Sequence, residues 1–398
     1  MRVSLHRIEP CRRQASSSSP LLDPRGARVV LGGAVIQPAA PVTPIVPTAR
    51  TLFAPRGACL VSGGGPLVVC DTGHHRLLLW QHPPAKDDTP ADLVIGQADF
   101  ISEGRNGKAA IGPATLNVPT GVASDPQGVV AVADSWNHRV LLWHSLPQTS
   151  NQPADVVLGQ ANFASGDPNL GGLQPTAASL NWCCGVAIHE RQLFVADTGN
   201  RRVLVWDHIP TANGEPADLV LGQPEFTMRA VGGGAIGMRW PHALAVAAGM
   251  LFVADAGSSR IMVWNGLPRR NRTPCDLVLG QADLTGAEHN RSGYDPTAAT
   301  LNMPYGLTPQ ADRLVVSDTA NSRLLGFELA GLAMGAPGRW LAGQRDFGKR
   351  GDNRWGVATR DSLCWPYAVA ACGPTLVVAD SGNNRVLLWD AAGGEGSN

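Results

Sequence analysis

Six side chains of unlike chemistry recur at nearly even spacing along the chain: Arg56, Thr120, Cys184, His242, Tyr305 and Tyr367. Cys184 and His242, one interval apart, could form a thiolate–imidazole nucleophile if the fold set them side by side. With Cys183 they could instead offer sulfur and nitrogen ligands to zinc. None of the six positions is Asp or Glu, so a histidine there has no carboxylate to orient it and a calcium ion finds no ligands. The other chemistry on offer is recognition. Two positions earlier stand Ala54, Val118, Trp182, Trp240, Met303 and Trp365. Arg, Tyr and Trp are the residue types that dominate binding hot spots.

The interval belongs to an internal repeat that runs through the chain. VVCDTGHHRLLLW, ending at Trp80, returns as VAVADSWNHRVLLW, LFVADTGNRRVLVW, LFVADAGSSRIMVW, LVVSDTANSRLLGF and LVVADSGNNRVLLW. Its aspartates are Asp71, Asp134, Asp197, Asp255, Asp318 and Asp380, each followed five residues on by Arg76, Arg139, Arg202, Arg260, Arg323 or Arg385. Two further phrases keep the same period, PADLVIGQADF with its relatives and TLNVPTGVA with its relatives. Each unit thus holds four short apolar runs, rich in Val and Leu and separated by Gly, Pro, Asn and Asp, which are strand and turn signals. The runs are nearly continuous rather than alternating, as suits strands covered on both faces. Propeller blades are covered in that way, by a neighbour on either side.

The expected fold is therefore all-β, a six-bladed β-propeller of four-stranded blades. The last unit stops after Trp389 without an LVLGQ strand, and an orphan copy, ARVVLGGAVI, stands at residues 27–36. The stretch from Ile36 to Thr51 is as long as that from Phe100 to Thr115, so the orphan is in register to close blade six and hide its edge. The expected division is a disordered basic, Ser-rich arm at 1–26, the propeller at 27–390 and a flexible tail at 391–398. Removing residues 1–20 should then be harmless, and removing 1–36 should leave a chain that aggregates.

The motifs D-[ST]-x-N-x-R-[VIL] and L-N-x-P-x-G-V resemble those of the NHL-repeat family, over about residues 27–390. The LGQxxF phrase is similar to that of bacterial NHL proteins. The resemblance implies a six-bladed propeller that serves as a platform for protein or RNA, or in a few cases as an enzyme. Peptidyl-amidating lyases, which use a related propeller, set several histidines around zinc; the ring of this chain has only His242.

Six-fold repetition separates what every blade needs from what only some carry. The aspartates should close Asx-turns and the arginines should reach those carboxylates or nearby carbonyls. Trp80, Trp143, Trp206, Trp264, Phe327 and Trp389 should wedge between blades, and Cys59 and Cys70 should be small buried thiols. His74, His75 and His138, in the turns, should be exposed. Gly232, Gly234 and Gly237 fit GxGxxG but lack the strand–helix context of a dinucleotide site. Arg269, Arg270 and Arg272 read as a solvated loop. Because the first strand of each propeller blade lines the central channel, the six unlike residues should surround its mouth.

Lys plus Arg equals Asp plus Glu at 32 each, without the basic excess of a nucleic-acid binder. Gly and Pro number 46 and 31, a turn-rich count, yet 44% apolar residues exclude disorder of the whole. Eight scattered cysteines without CxxC suit reduced thiols. No apolar leader core or membrane-length run is present, which gives a cytoplasmic expectation. Two loops lean basic, one with Arg105 and Lys108, another with Lys349, Arg350, Arg354, Arg360 and Trp355, diluted by Asp352 and Asp361.

The function expected is non-catalytic recognition of a protein or peptide partner at the channel mouth by a monomer, without cofactor or metal and without membrane or nucleic acid. Arg56, Thr120, Cys184, His242, Tyr305 and Tyr367 would form the site, with Trp182, Trp240 and Trp365. One alternative is a metal- or thiol-dependent lyase or hydrolase using Cys184, His242 and Tyr305. Another is single-stranded RNA binding through the basic–aromatic loops.

Overall fold

In the computed structural model, residues 18–33, 45–61 and 64–393 are described. Six sheets, each of four consecutive antiparallel strands or their equivalent, stand around one axis. Blade four shows the plan: Pro241–Ala247, Met250–Asp255, Arg260–Trp264 and Leu277–Leu279. The innermost strands are Gly57–Leu60, Pro119–Ser124, Gly185–His189, Pro241–Ala247, Pro304–Gln310 and Pro366–Cys372. Each packs on the next, and that of blade six packs on that of blade one, so the ring is closed. The second and third strands are buried along nearly their whole length, because apolar clusters fill every gap between blades. The repeated aromatics Trp80, Trp143, Trp206, Trp264, Phe327 and Trp389 lie in those clusters.

The Asp–Arg pair is a clamp, and it differs from the Asx-turn expected. No aspartate caps the turn that follows it. One carboxylate oxygen instead accepts the backbone N–H of the segment entering the same blade's first strand, as Asp318 does from Asn302 at 2.7 Å. The other accepts Nε of the arginine, at 2.7 to 3.1 Å in the six blades. The arginine then spends its remaining N–H groups on loop carbonyls: Arg323 reaches Phe347, Thr297 and Thr300. A local turn could not do this, since the loop being held lies ahead of the blade's first strand and the aspartate ends its second. The glycine run of blade four serves the same end, with Arg260 bonded to the carbonyls of Gly234 and Gly237.

The LGQ phrase fixes the long loops. Its glycine sits at φ +100° in Gly96 and between +84° and +89° in Gly159, Gly222, Gly280 and Gly343. At Gly159 a Cβ would fall 2.6 Å from Leu180, so a side chain is excluded twice over. The glutamine that follows ties the turn to the outgoing loop, Gln160 Nε2 donating to the carbonyls of His138 and Asp167.

Closure is as expected. Val29–Gly32 pairs antiparallel with Arg385–Leu388 as the outer strand of blade six; residues 34–36 lie outside the described residues. Residues 18–26, expected to belong to the arm, are however packed on the propeller. Ser19–Pro20 adds a fifth strand to blade five, parallel to Trp340–Leu341. Leu21 and Leu22 are buried between blades five and six, and Trp389 donates its indole N–H to the carbonyl of Asp23. In other blades that indole bonds a carbonyl nine residues on, in the loop after the third strand. Residues 18–28 thus take the place of a loop that blade six lacks, which is why they pack. Removal of residues 1–20 should accordingly cost some stability through loss of the Ser19–Pro20 pairing. Residues 391 and 392, expected to belong to the tail, are also held, because Ala391 bridges Leu22 and the N–H of Ala392 meets the carbonyl of Leu21. Residues 1–17 and 394–398 lie outside the described residues.

Candidate functional site

The mouth is built by hydrogen bonds that pass from each blade to the next. After the aspartate, Thr72, Ser135, Thr198, Thr319 and Ser381 each donate a hydroxyl to a carbonyl at the start of the following blade's first strand: Pro119, Cys183, Pro241, Pro366 and Pro55. Blade four has Ala256 there and lacks the link. Three residues further on, His75, His138, Ser259, Ser322 and Asn384 accept the N–H of Val118, Trp182, Met303, Trp365 and Ala54. Those five donors sit at φ of +45° to +55°, a left-handed conformation that costs a non-glycine residue roughly 1–2 kcal/mol. Blade three, with Arg201, is the exception, and Trp240 instead donates to Asp255.

His75 and His138 are therefore half-buried acceptors and His74 is fully buried against Asp71, not exposed turn residues. Burial holds His75 and His138 below the usual histidine range, as expected of rings that must stay neutral to accept an N–H.

The structure brings the six ring residues together. Arg56, Thr120, Cys184, His242, Tyr305 and Tyr367 line one cavity of about 260 Å3, together with the first strands that carry them. Four of them are stacked. The Arg56 guanidinium lies 4.7 Å over the Tyr367 ring; Tyr367 and Tyr305 stack at 4.6 Å and 21°; and His242 lies 4.3 Å from Tyr305. Thr120 is used internally, bonded to Ser135 and to the carbonyl of Cys184. Trp182 and Trp240 meet edge to face at 6.4 Å. Phe53, Trp136, Trp240 and Trp365 are each between 39% and 53% exposed. Sequence reasoning misses Trp136 and Phe53, although Trp136 replaces a position that is Gly73, Gly199, Gly257 and Gly382 in other blades.

Neither reactive group is primed. Burial pushes the Cys184 thiol up to about 12 and the His242 imidazole down to about 3, helped by the nearby Arg56 charge. Both are held in their neutral forms, the opposite of a thiolate–imidazolium pair. Cys183 points away, its thiol donating to the carbonyl of Arg139 in the core. Among the described residues no three His, Cys, Asp or Glu side chains converge as metal ligands, so the zinc set suggested by Cys183, Cys184 and His242 does not form. The seven cysteines among the described residues are free.

These histidines give the fold a pH dependence. A base whose folded pKa is depressed stabilises fully above its unfolded value, near 6.5, and loses that contribution as pH falls toward the folded one. For His242 the window runs from 6.5 down to about 3. Stability should therefore fall between pH 7 and pH 5, by at most about 1.4 kcal/mol per pH unit for His242. Partly exposed His75 and His138 should add less. Thermal melts of wild type and His242→Gln check this: the variant should lose less on acidification, and identical pH slopes would remove His242 from the account.

Architecture and mouth together define a six-bladed β-propeller with a closed ring and a lined central cavity. The family model of the NHL repeat matches residues 116–141, the first two strands of blade two and the start of the third, and the other blades repeat the same Asp–Arg clamp. No curated protein sequence matches the chain. Among solved structures it is similar to Kuenenia stuttgartiensis hydrazine synthase, at 12% identity over 90% of this chain and 99% of that one, TM-score 0.47. It is also similar to a Bacteroides thetaiotaomicron protein of unknown function, at 14% over 86% and 70%, TM-score 0.48. A chain from a nidogen/laminin complex is similar at 15% over 69% and 76%, TM-score 0.40. Likenesses this distant carry no argument about function. No helix of the described residues is long and apolar enough to cross a membrane.

Proposed function

We propose that this propeller is a non-catalytic recognition module whose mouth face binds a protein or peptide partner. The observation that supports this reading is the rim: exposed aromatics around a cavity whose own Arg, His and Tyr side chains are held in place by stacking. Rigid aromatic and arginine anchors are what hot spots are made of, and a rigid site spends little entropy on ordering. A thiol held neutral by burial beside an imidazole that burial makes a weak base is not a primed nucleophile. The RNA alternative is weakened by how the basic loop is used. Arg354 is bonded to Asp361 and Arg360 to Asp87, while Arg350 covers the Tyr294 ring.

The test is capture of partners from host lysate by wild type and by the variant Arg56→Ala/His242→Ala/Tyr305→Ala/Tyr367→Ala, with matched melts to show that both fold. A protein retained by wild type alone supports the mouth. Equal capture by both, or salt-sensitive capture of RNA, overturns the reading.

A further inference from the structure

Arg56 differs from every clamp arginine. In the same blade Arg76 spends its guanidinium on Asp71 and three carbonyls. Among the described residues Arg56 has no ion-pair partner, and its Nε is closed off from solvent with nothing to bond. It is also the one permanently charged side chain on the cavity wall, which carries no carboxylate. A half-buried guanidinium without a counter-charge is costly, and its planar fork matches a carboxylate. The Tyr367 face beneath it fixes the plane of the fork by cation–π attraction, which does not use its N–H groups.

What surrounds the fork is consistent with the same ligand. Tyr305 and Tyr367 are held up in pKa, chiefly by burial, and stay neutral hydroxyl donors. Beyond the polar layer the wall turns apolar, with Ala58, Val122, Val186, Leu244, Leu307 and Val369. At about 260 Å3 the cavity is smaller than the roughly 300–1,000 Å3 of drug-sized sites. It has room for one residue, not for a folded element.

We propose that the mouth binds a carboxylate of a peptide, either its free C-terminus or an acidic side chain, with Arg56 as the fork, Tyr305 and Tyr367 as flanking donors, and the apolar wall covering the adjoining aliphatic group. This rests on, and deepens, the reading of the mouth as a recognition site. The probes are N-acetyl-leucine, N-acetyl-leucinamide and N-acetylglutamic acid α-amide, titrated calorimetrically into the full chain. A carboxylate probe should bind saturably, and about tenfold or more tighter than leucinamide, as expected for hydrogen bonds to a charged group. Arg56→Gln should bring the acid down to the level of the amide, while Arg56→Lys should keep part of the difference. Whichever carboxylate probe binds more tightly identifies the source. Equal binding of acid and amide, an unchanged acid affinity in Arg56→Gln, or no saturable binding of either carboxylate would overturn the proposal.

If Arg56→Gln fails to fold, phenylglyoxal modification of wild-type Arg56, mapped by mass spectrometry, takes its place. N-acetyl-leucine should slow it and leucinamide should not; equal rates count against the site. A partner captured by wild type and Arg56→Gln but not by the four-fold variant would leave mouth recognition standing and remove the carboxylate. Capture by all three would remove mouth recognition, and the acid–amide difference would then decide the carboxylate alone.

Discussion

A chain that begins at residue 37 is expected to aggregate instead of melting in one cooperative transition. Its missing strand, Val29–Gly32, covers the outer edge of blade six. Without it the run Arg385–Asp390, buried over most of its length, presents a free strand edge rich in Val, Leu and Trp. Such an edge templates pairing with other chains. The loss reaches further than one strand. Leu21, Leu22 and Ala27 leave the cluster between blades five and six, and Trp389 loses its indole acceptor. A milder probe of the same latch is Leu22→Ala, expected to cost about 2–5 kcal/mol as a fully buried truncation. Light scattering and a melt of residues 37–398 decide the matter. A soluble fragment with an unchanged transition would show that the ring does not depend on the N-terminal strand.

The second large effect belongs to the clamp. Asp318→Asn keeps the shape but places an amide N–H donor or an uncharged oxygen where Arg323 needs an anion. The pair is buried at 2.7 Å, and breaking a buried pair from one side costs about 3–5 kcal/mol. Replacing both partners by apolar residues should not restore the loss. Arg323 also satisfies the carbonyls of Phe347, Thr297 and Thr300, and Asp318 the N–H of Asn302, so the double variant leaves those groups unpaired. Denaturant midpoints of Asp318→Asn, Arg323→Met and the double variant Asp318→Leu/Arg323→Met test this. A double variant as stable as wild type would reduce the clamp to a dispensable ion pair.

The fold is legible because one long period repeats four strand signals six times and leaves one strand of blade six to be supplied by the orphan at residues 27–36. The ring of unlike residues is legible for the same reason, since Arg56, Cys184, His242, Tyr305 and Tyr367 stand where repetition fails. How these side chains meet is not. Arg56 lies on Tyr367 although the two belong to the first and last blades, and no period encodes a stacking angle. The histidines escape the pattern because a polar turn residue ordinarily faces solvent, whereas His75 and His138 accept hydrogen bonds from the neighbouring blade. Likewise, Asp71 and its copies accept the backbone N–H of Phe53 and its equivalents, and in their own turns they meet at most a side chain three residues on, not a backbone N–H. Leu21 and Leu22 have no counterpart in any repeat, so nothing in the pattern can assign them. Trp136 is within reach, as the one large side chain in a column that is otherwise glycine and Ala320.

The latch that closes blade six also sets a timetable. Val29–Gly32 is made about 350 residues before its partner strand, which at about 5–20 residues per second is a delay of roughly 20–70 s. Throughout that time an apolar strand without its mate stays near the ribosome while five blades take shape behind it. The last step joins segments from opposite ends of the chain and carries the largest loop-closure entropy of the fold. Nascent chains of this protein should accordingly be clients of holding chaperones until the final blade emerges, and refolding in bulk should become less efficient as concentration rises.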